Sequence, residues 1–124
     1  MAERGLRDRR VLVVEDEYHL AAELEEELGA AGAVVVGPAA SVEDALALIE
    51  GDPALDGAML DVNLGGEPVY PVADALMARG VPFVLTTGYD GRDIPALYTA
   101  APRVGKPAQP CAFVTALARA LEAT

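Results

Sequence analysis

Arg10-Val11-Leu12-Val13-Val14-Glu15-Asp16 is the stretch that decides how this chain is read. Four consecutive apolar residues, three of them valine, are too few for a helix. They lack the alternation of a half-exposed strand, so they fit a strand covered on both faces, as in a parallel sheet. Two carboxylates follow at once. From Glu17 to Leu28 the spacing turns helical, with Leu20, Ala21, Leu24 and Leu28 on one face and five glutamates elsewhere, until Gly29 and Gly32 end it.

The same unit recurs along the chain. Ala33 to Gly37 reads as a second strand, and Ser41 with Asp44 three residues on resembles a capping box opening a helix whose apolar face is Ala45, Leu46 and Ile49. Gly57 to Leu60 makes a third strand that ends at Asp61. A glycine-rich loop, Asn63 to Glu67, leads into a helix through about Arg79, with Pro71 tolerable in its first turn. Val81 to Thr87 is the fourth strand. Gly88, Gly91 and Pro95 leave room for one short helix before Ala101. Pro102 to Gly105 is a short fifth strand, and Pro110 opens a last helix striped by Phe113, Leu117 and Leu121. Strict alternation predicts an α/β fold: a doubly wound five-stranded parallel sheet, flavodoxin-like, with helices on both faces. Ligands of such sheets sit at the carboxyl ends of the strands, near the switch in strand order. No repeat, linker or low-complexity tail interrupts the pattern, so residues 1–124 read as one domain without an output domain.

The bulk properties agree. A chain of 124 residues, 52% of them apolar, can bury a real core. A formal net charge of −11 argues against nucleic acid as a direct partner. Arg4, Arg7, Arg9 and Arg10 run against that balance and read as solvated charge flanking the first strand. No segment approaches a membrane span, and Val11 to Val14 is too short for a signal-peptide core. The single Cys111 excludes an internal disulfide and fits the reducing cytoplasm; it is expected to pack near the start of the last helix. All other positive charge being arginine, Lys106 is the only lysine. A compact ammonium acts on a small anion as a point charge, which guanidinium does not.

Glu15 and Asp16 end strand one, Asp61 ends strand three, Thr87 ends strand four and Lys106 follows strand five. A parallel sheet brings all five to one edge. Carboxylates this close repel by about 4 kcal/mol per pair at an effective dielectric near 20, so they stay ionised together only around a cation. Hard oxygen ligands open to water suit Mg²⁺. A carboxylate beside Mg²⁺, a lysine and a hydroxyl can accept a phosphoryl group, and Asp61, alone on the central strand, is the best nucleophile. Thr86 is an alternative hydroxyl, but neighbouring side chains alternate between faces and the Thr-Gly junction favours Thr87.

Glu15-Asp16, Asp61, Thr87 and Lys106-Pro107 together resemble the receiver domain of two-component response regulators, and the resemblance covers nearly the whole chain. It implies phosphorylation of Asp61 by a histidine kinase or histidine phosphotransfer protein. It also implies Mg²⁺ ligation by Asp16, Asp61 and the backbone carbonyl of Asn63, with Glu15 acting through water. Thr87 and Lys106 would bind the phosphoryl group, and the bond before Pro107 would be cis. Receivers commonly carry an aromatic switch residue three positions before the lysine, where this chain has Arg103. Thr87-Gly88-Tyr89 is similar to part of the Phe-Ala-Thr-Gly-Tyr signature of a mostly single-domain subgroup, which makes Tyr89 and Arg103 the switch candidates. Such a module is not an enzyme acting on a metabolite. It is a cytoplasmic signalling protein that contacts a downstream protein or drains phosphate from a kinase.

Two rivals share the general chemistry or fold. An aspartate-nucleophile, Mg-dependent phosphatase also uses a strand-end aspartate, but its Asp-x-Asp pattern needs a second acid where this chain has Asn63. A flavin binder needs a Ser/Thr-rich phosphate loop after strand one, and none follows. His19 reads as a solvated or locally paired imidazole, and Tyr70 and Tyr98 as packing residues. Gly65 and Gly66 shape the loop beside Asp61 without forming a phosphate-binding motif.

Overall fold

The computed structural model describes residues 6–87, 101–105 and 109–122. In chain order the elements are β1 (Arg10–Val14), α1 (Tyr18–Ala30), β2 (Val34–Ala39), α2 (Val42–Gly51), β3 (Gly57–Asp61), β4 (Asn63–Leu64), β5 (Glu67–Pro68), α3 (Tyr70–Ala78), β6 (Phe83–Thr87), β7 (Arg103–Gly105) and α4 (Pro110–Glu122). The main sheet is parallel, in the order β2-β1-β3-β6-β7. This is the doubly wound arrangement expected from the alternation of strands and helices. The short helix expected between Gly88 and Ala101 falls on residues outside those described.

Alternation along the strands splits the core in two. Leu12, Val14, Leu60 and Leu85 enter one buried cluster with residues of α2 and α3. Val11, Val13, Met59 and Val84 enter the other, against Leu24 and Leu28 of α1 and Phe113, Leu117 and Leu121 of α4. Every residue of β3 is buried, as a central strand covered on both faces requires. β2 runs two residues beyond its expected end, through Pro38 to Ala39. As an edge strand it can hold a residue that has no N–H to give.

Helix starts follow local chemistry. Ser41 Oγ accepts the N–H of Asp44 at 3.1 Å, as its position before α2 predicts. At α1 the cap is Glu17, whose carboxylate accepts from His19 N–H at 3.0 Å and Leu20 N–H at 2.7 Å. At the far edge of the sheet, Arg10 donates to Asp52 from Nε (3.0 Å) and NH2 (2.7 Å), while the Arg79 guanidinium donates to the Ile49 and Asp52 carbonyls.

Two local expectations change, and Leu6 joins the core unmarked by any pattern. The segment Asn63 to Glu67 is not a plain loop: β4 and β5 pair antiparallel across Gly65-Gly66, with φ of +58° and +93°. Two successive positive φ values are what a tight two-residue hairpin demands and glycine supplies without strain. Leu6, within the arginine-rich start, is fully buried in the α1–α4 cluster. It is turned inward by Arg9 N–H bonding the Leu6 carbonyl (3.0 Å) and Asp8 N–H bonding the Gly32 carbonyl (2.8 Å). Cys111 is exposed rather than packed, because the buried stripe of α4 begins at Phe113.

Candidate functional site

β1 and β3 are neighbours at the middle of the sheet, with Val14 in register with Leu60. The next residues on the two strands, Glu15 and Asp61, therefore leave the carboxyl edge side by side, and Asp16 follows. One carboxylate oxygen from each of the three lies within 4.8 Å of the others. Glu15 and Asp61 are only 3% and 6% exposed, whereas Asp16 is open to solvent. Three of the five residues expected at one edge thus form a compact acidic group with two buried members.

The surroundings fix this group. Glu15 N–H donates to the Ala39 carbonyl at 2.9 Å, and Glu15 Oε2 accepts Glu17 N–H at 3.0 Å. The first acid is thereby tied both to β2 and to the entry of α1. Asp61 is anchored through its strand, and the following Val62 N–H donates to the Thr86 carbonyl at 3.0 Å. Gly65 brings the β4–β5 turn against the acids: a Cβ there would stand 3.3 Å from Asp16 Oδ2. Glu67, across that turn, accepts the N–H of Val42 at 3.2 Å and so pins the hairpin to the first residue of α2. Composition and spacing carry no signal for Glu67, because the contact spans 25 positions and exists only once the hairpin has formed.

The other expected residues are placed unevenly. Asn63 opens β4, two residues past Asp61. Thr87 closes β6 with its backbone in register with Gly105, and its side chain is outside the described part. Lys106, Pro107 and Tyr89 also lie outside the described residues. Arg103 is exposed and opens β7 in register with Leu85. Thr86, not Thr87, is the in-register partner of Asp61. His19 is exposed and stands edge-on to Tyr18, 5.7 Å between ring centroids, in the local pairing expected of it. Tyr70 packs on the α2–α3 core.

Among the described residues the group offers only carboxylate oxygens, a donor set consistent with a hard divalent cation. Uncompensated, each pair at 4.8 Å repels by about 3.5 kcal/mol at an effective dielectric near 20, which a cation would relieve. Among the described residues no helix is long and apolar enough to cross a membrane.

Neither a family model nor a curated protein sequence matches the chain. Solved structures do. SdrG from Sphingomonas melonis Fr1 is 38% identical, with 95% of this chain and 98% of that one covered and a TM-score of 0.79. The beryllofluoride-activated conformation of SdrG from Pseudomonas melonis Fr1 is 36% identical, with coverage of 86% and 93% and a TM-score of 0.71. A CheY-like response regulator receiver domain protein from Methanospirillum hungatei JF-1 shares the fold at a TM-score of 0.81, with 23% identity and coverage of 94% and 95%. The phosphatase alternative finds no support among these structures. Identity of 38% across almost the full length of both chains, joined to the common fold, means that this chain belongs to the response regulator receiver (CheY-like) family.

Proposed function

We propose that the protein is a phospho-accepting signalling module in which Asp61 is the acceptor. The observation that carries this reading is the acidic group itself: Asp61 closes the central strand with Glu15 and Asp16 gathered against it. An Asp61 oxygen would attack phosphorus in line. A P–O bond forms, and the bond to the donor's leaving atom breaks. The electron pair departs on the nitrogen of a phosphohistidine or on the carboxylate oxygen of acetyl phosphate. Water attacking the same phosphorus later breaks the bond to the Asp61 oxygen, which returns as a carboxylate while inorganic phosphate is released.

The donor set fits Mg²⁺. Asp16, Asp61 and the Asn63 carbonyl would hold it, with Glu15 contributing through water. Bound there, the ion would offset negative charge on the phosphoryl oxygens. Thr87 and Lys106 are the proposed phosphoryl-binding pair, with a cis bond before Pro107. Tyr89 and Arg103 are the proposed positions through which the surface responds. The partners by this reading are a histidine kinase or phosphotransfer protein upstream and a protein surface downstream, in the cytoplasm. The module turns over no metabolite of its own, and Asn63 in place of a second acid speaks against phosphatase chemistry.

Incubation with acetyl phosphate and Mg²⁺ followed by intact-mass measurement tests the assignment. The wild type should gain one phosphoryl group, and Asp61→Asn should gain none. Labelling that survives in Asp61→Asn would overturn the choice of acceptor.

A further inference from the structure

Thr86 carries an observation that the acceptor reading leaves unused. Its side chain is 2% exposed, and its Oγ1 has no hydrogen-bond partner among the described residues. Burying a hydroxyl strips its bonds to water, so native structures rarely leave one without a replacement. Valine would fill the same space without that cost. The hydroxyl therefore calls for an explanation at this position.

The position is informative. Thr86 is the register partner of Asp61 on one side and of Val104 on the other. Paired residues of parallel strands send their side chains to the same face, and the strands lie about 4.8 Å apart. Two residues earlier on each strand, Val13, Met59 and Val84 all enter the α1–α4 core. Period-two alternation then carries Glu15, Asp61 and Thr86 to that same face at the carboxyl edge. Asp61 stands in the middle of this row, with an acid on one flank and a buried hydroxyl on the other. Beside ionised oxygens a hydroxyl has one useful role, as a donor.

We infer that the Thr86 hydroxyl is a second hydrogen-bonding group of the acceptor site, donating to oxygens of the anionic group that Asp61 carries. The inference rests on Asp61 being the acceptor. Rotation of one side-chain torsion is enough to redirect Oγ1, and a bond from O–H to charged oxygen is stronger than one between neutral groups. This role is separate from that of Thr87, whose backbone pairs with Gly105 one step further along β6.

Beryllofluoride, a stand-in for the phosphoryl group, provides the test. It is titrated at fixed Mg²⁺ into the full chain and into Thr86→Val, Thr86→Ser and Asp61→Asn, with bound fluorine followed by NMR and melting temperature recorded alongside. Thr86→Val should bind about tenfold more weakly, the effect of one lost charge-assisted hydrogen bond, and Thr86→Ser should bind like the wild type. Equal binding by Thr86→Val with a raised melting temperature would overturn the inference, leaving the hydroxyl an uncompensated core group. So would Thr86→Ser binding as weakly as Thr86→Val, because shape rather than the hydroxyl would then matter. If Thr86→Val does not fold, Thr86→Ala against Thr86→Ser makes the same comparison. Wild-type binding that Asp61→Asn leaves intact would instead remove the acceptor assignment, and this inference with it.

Discussion

Replacing Asp61 by asparagine should make the metal-free protein more stable, although it removes the proposed acceptor. The carboxylate oxygens of Glu15, Asp16 and Asp61 lie within 4.8 Å of one another, where two unit charges repel by about 3.5 kcal/mol at an effective dielectric near 20. Asp61 takes part in two such pairs. Its pair with Glu15 keeps much of that energy, because both side chains are buried, whereas solvent and salt screen the pair with the exposed Asp16. Asparagine keeps the shape and removes the charge, but it also alters whatever other interactions Asp61 makes. The net gain expected is about 1–2 kcal/mol, which at a urea m-value of about 2 kcal/mol per molar moves the midpoint up by roughly 0.5–1 M. Urea unfolding in EDTA measures it. Mg²⁺ at tenfold its dissociation constant should add about 1.4 kcal/mol to the wild type and less to the variant, so the two midpoints should converge as Mg²⁺ rises. A variant no more stable than the wild type in EDTA, or stabilised equally by Mg²⁺, would refute the argument that unrelieved carboxylate repulsion dominates this site.

Two further predictions concern the supports of the site and the far edge of the sheet. Gly65→Ala should cost ~1 kcal/mol for holding a side chain at positive φ. It should also weaken Mg²⁺ binding, because the new Cβ meets Asp16 Oδ2 at 3.3 Å. Gly66→Ala, also at positive φ but with nothing within 4 Å of its Cβ, should lose stability and keep its Mg²⁺ affinity, as Mg²⁺-dependent thermal shifts would show. The second prediction concerns pH. The Arg10 guanidinium hydrogen-bonded to Asp52 holds that carboxyl below its ordinary value, with help from the Ala54 N–H and against the cost of desolvation. A depressed folded-state pKa means stability that is present above the ordinary carboxylate range and is lost as pH falls through the folded value. Asp52→Asn should therefore be less stable than the wild type at neutral pH, and the two urea midpoints should meet in strong acid; equal midpoints at neutral pH would contradict this.

Much of this protein is written in local patterns. The apolar run Val11 to Val14 stops at two acids, and the same device ends the third strand at Asp61, so strand positions and the acidic edge are legible together. Ser41 and its partner Asp44 mark a helix start that forms as read. Alternation of continuous apolar runs with helical stripes is enough to choose a parallel sheet, because only that fold buries both faces of every such strand.

What one-dimensional patterns do not carry is register and reach. The hairpin across Gly65-Gly66 was legible in principle from the glycine pair, but two-residue strands offer no periodicity to weigh. Glu67 finds Val42, and Leu6 finds the α1–α4 core, only after elements distant in sequence have packed. Thr86 is the sharpest case. Sequence alone ranks it behind Thr87, because the Thr-Gly junction that follows favours the later residue. That Thr86 stands in register with Asp61 depends on how β6 lies against β3, with Val84 and Leu85 in opposite cores. The sequence by itself therefore determined that Glu15, Asp16 and Asp61 reach the carboxyl edge. Tertiary packing alone decided which of them stand shoulder to shoulder, since a one-residue shift between strands exchanges the faces of every side chain.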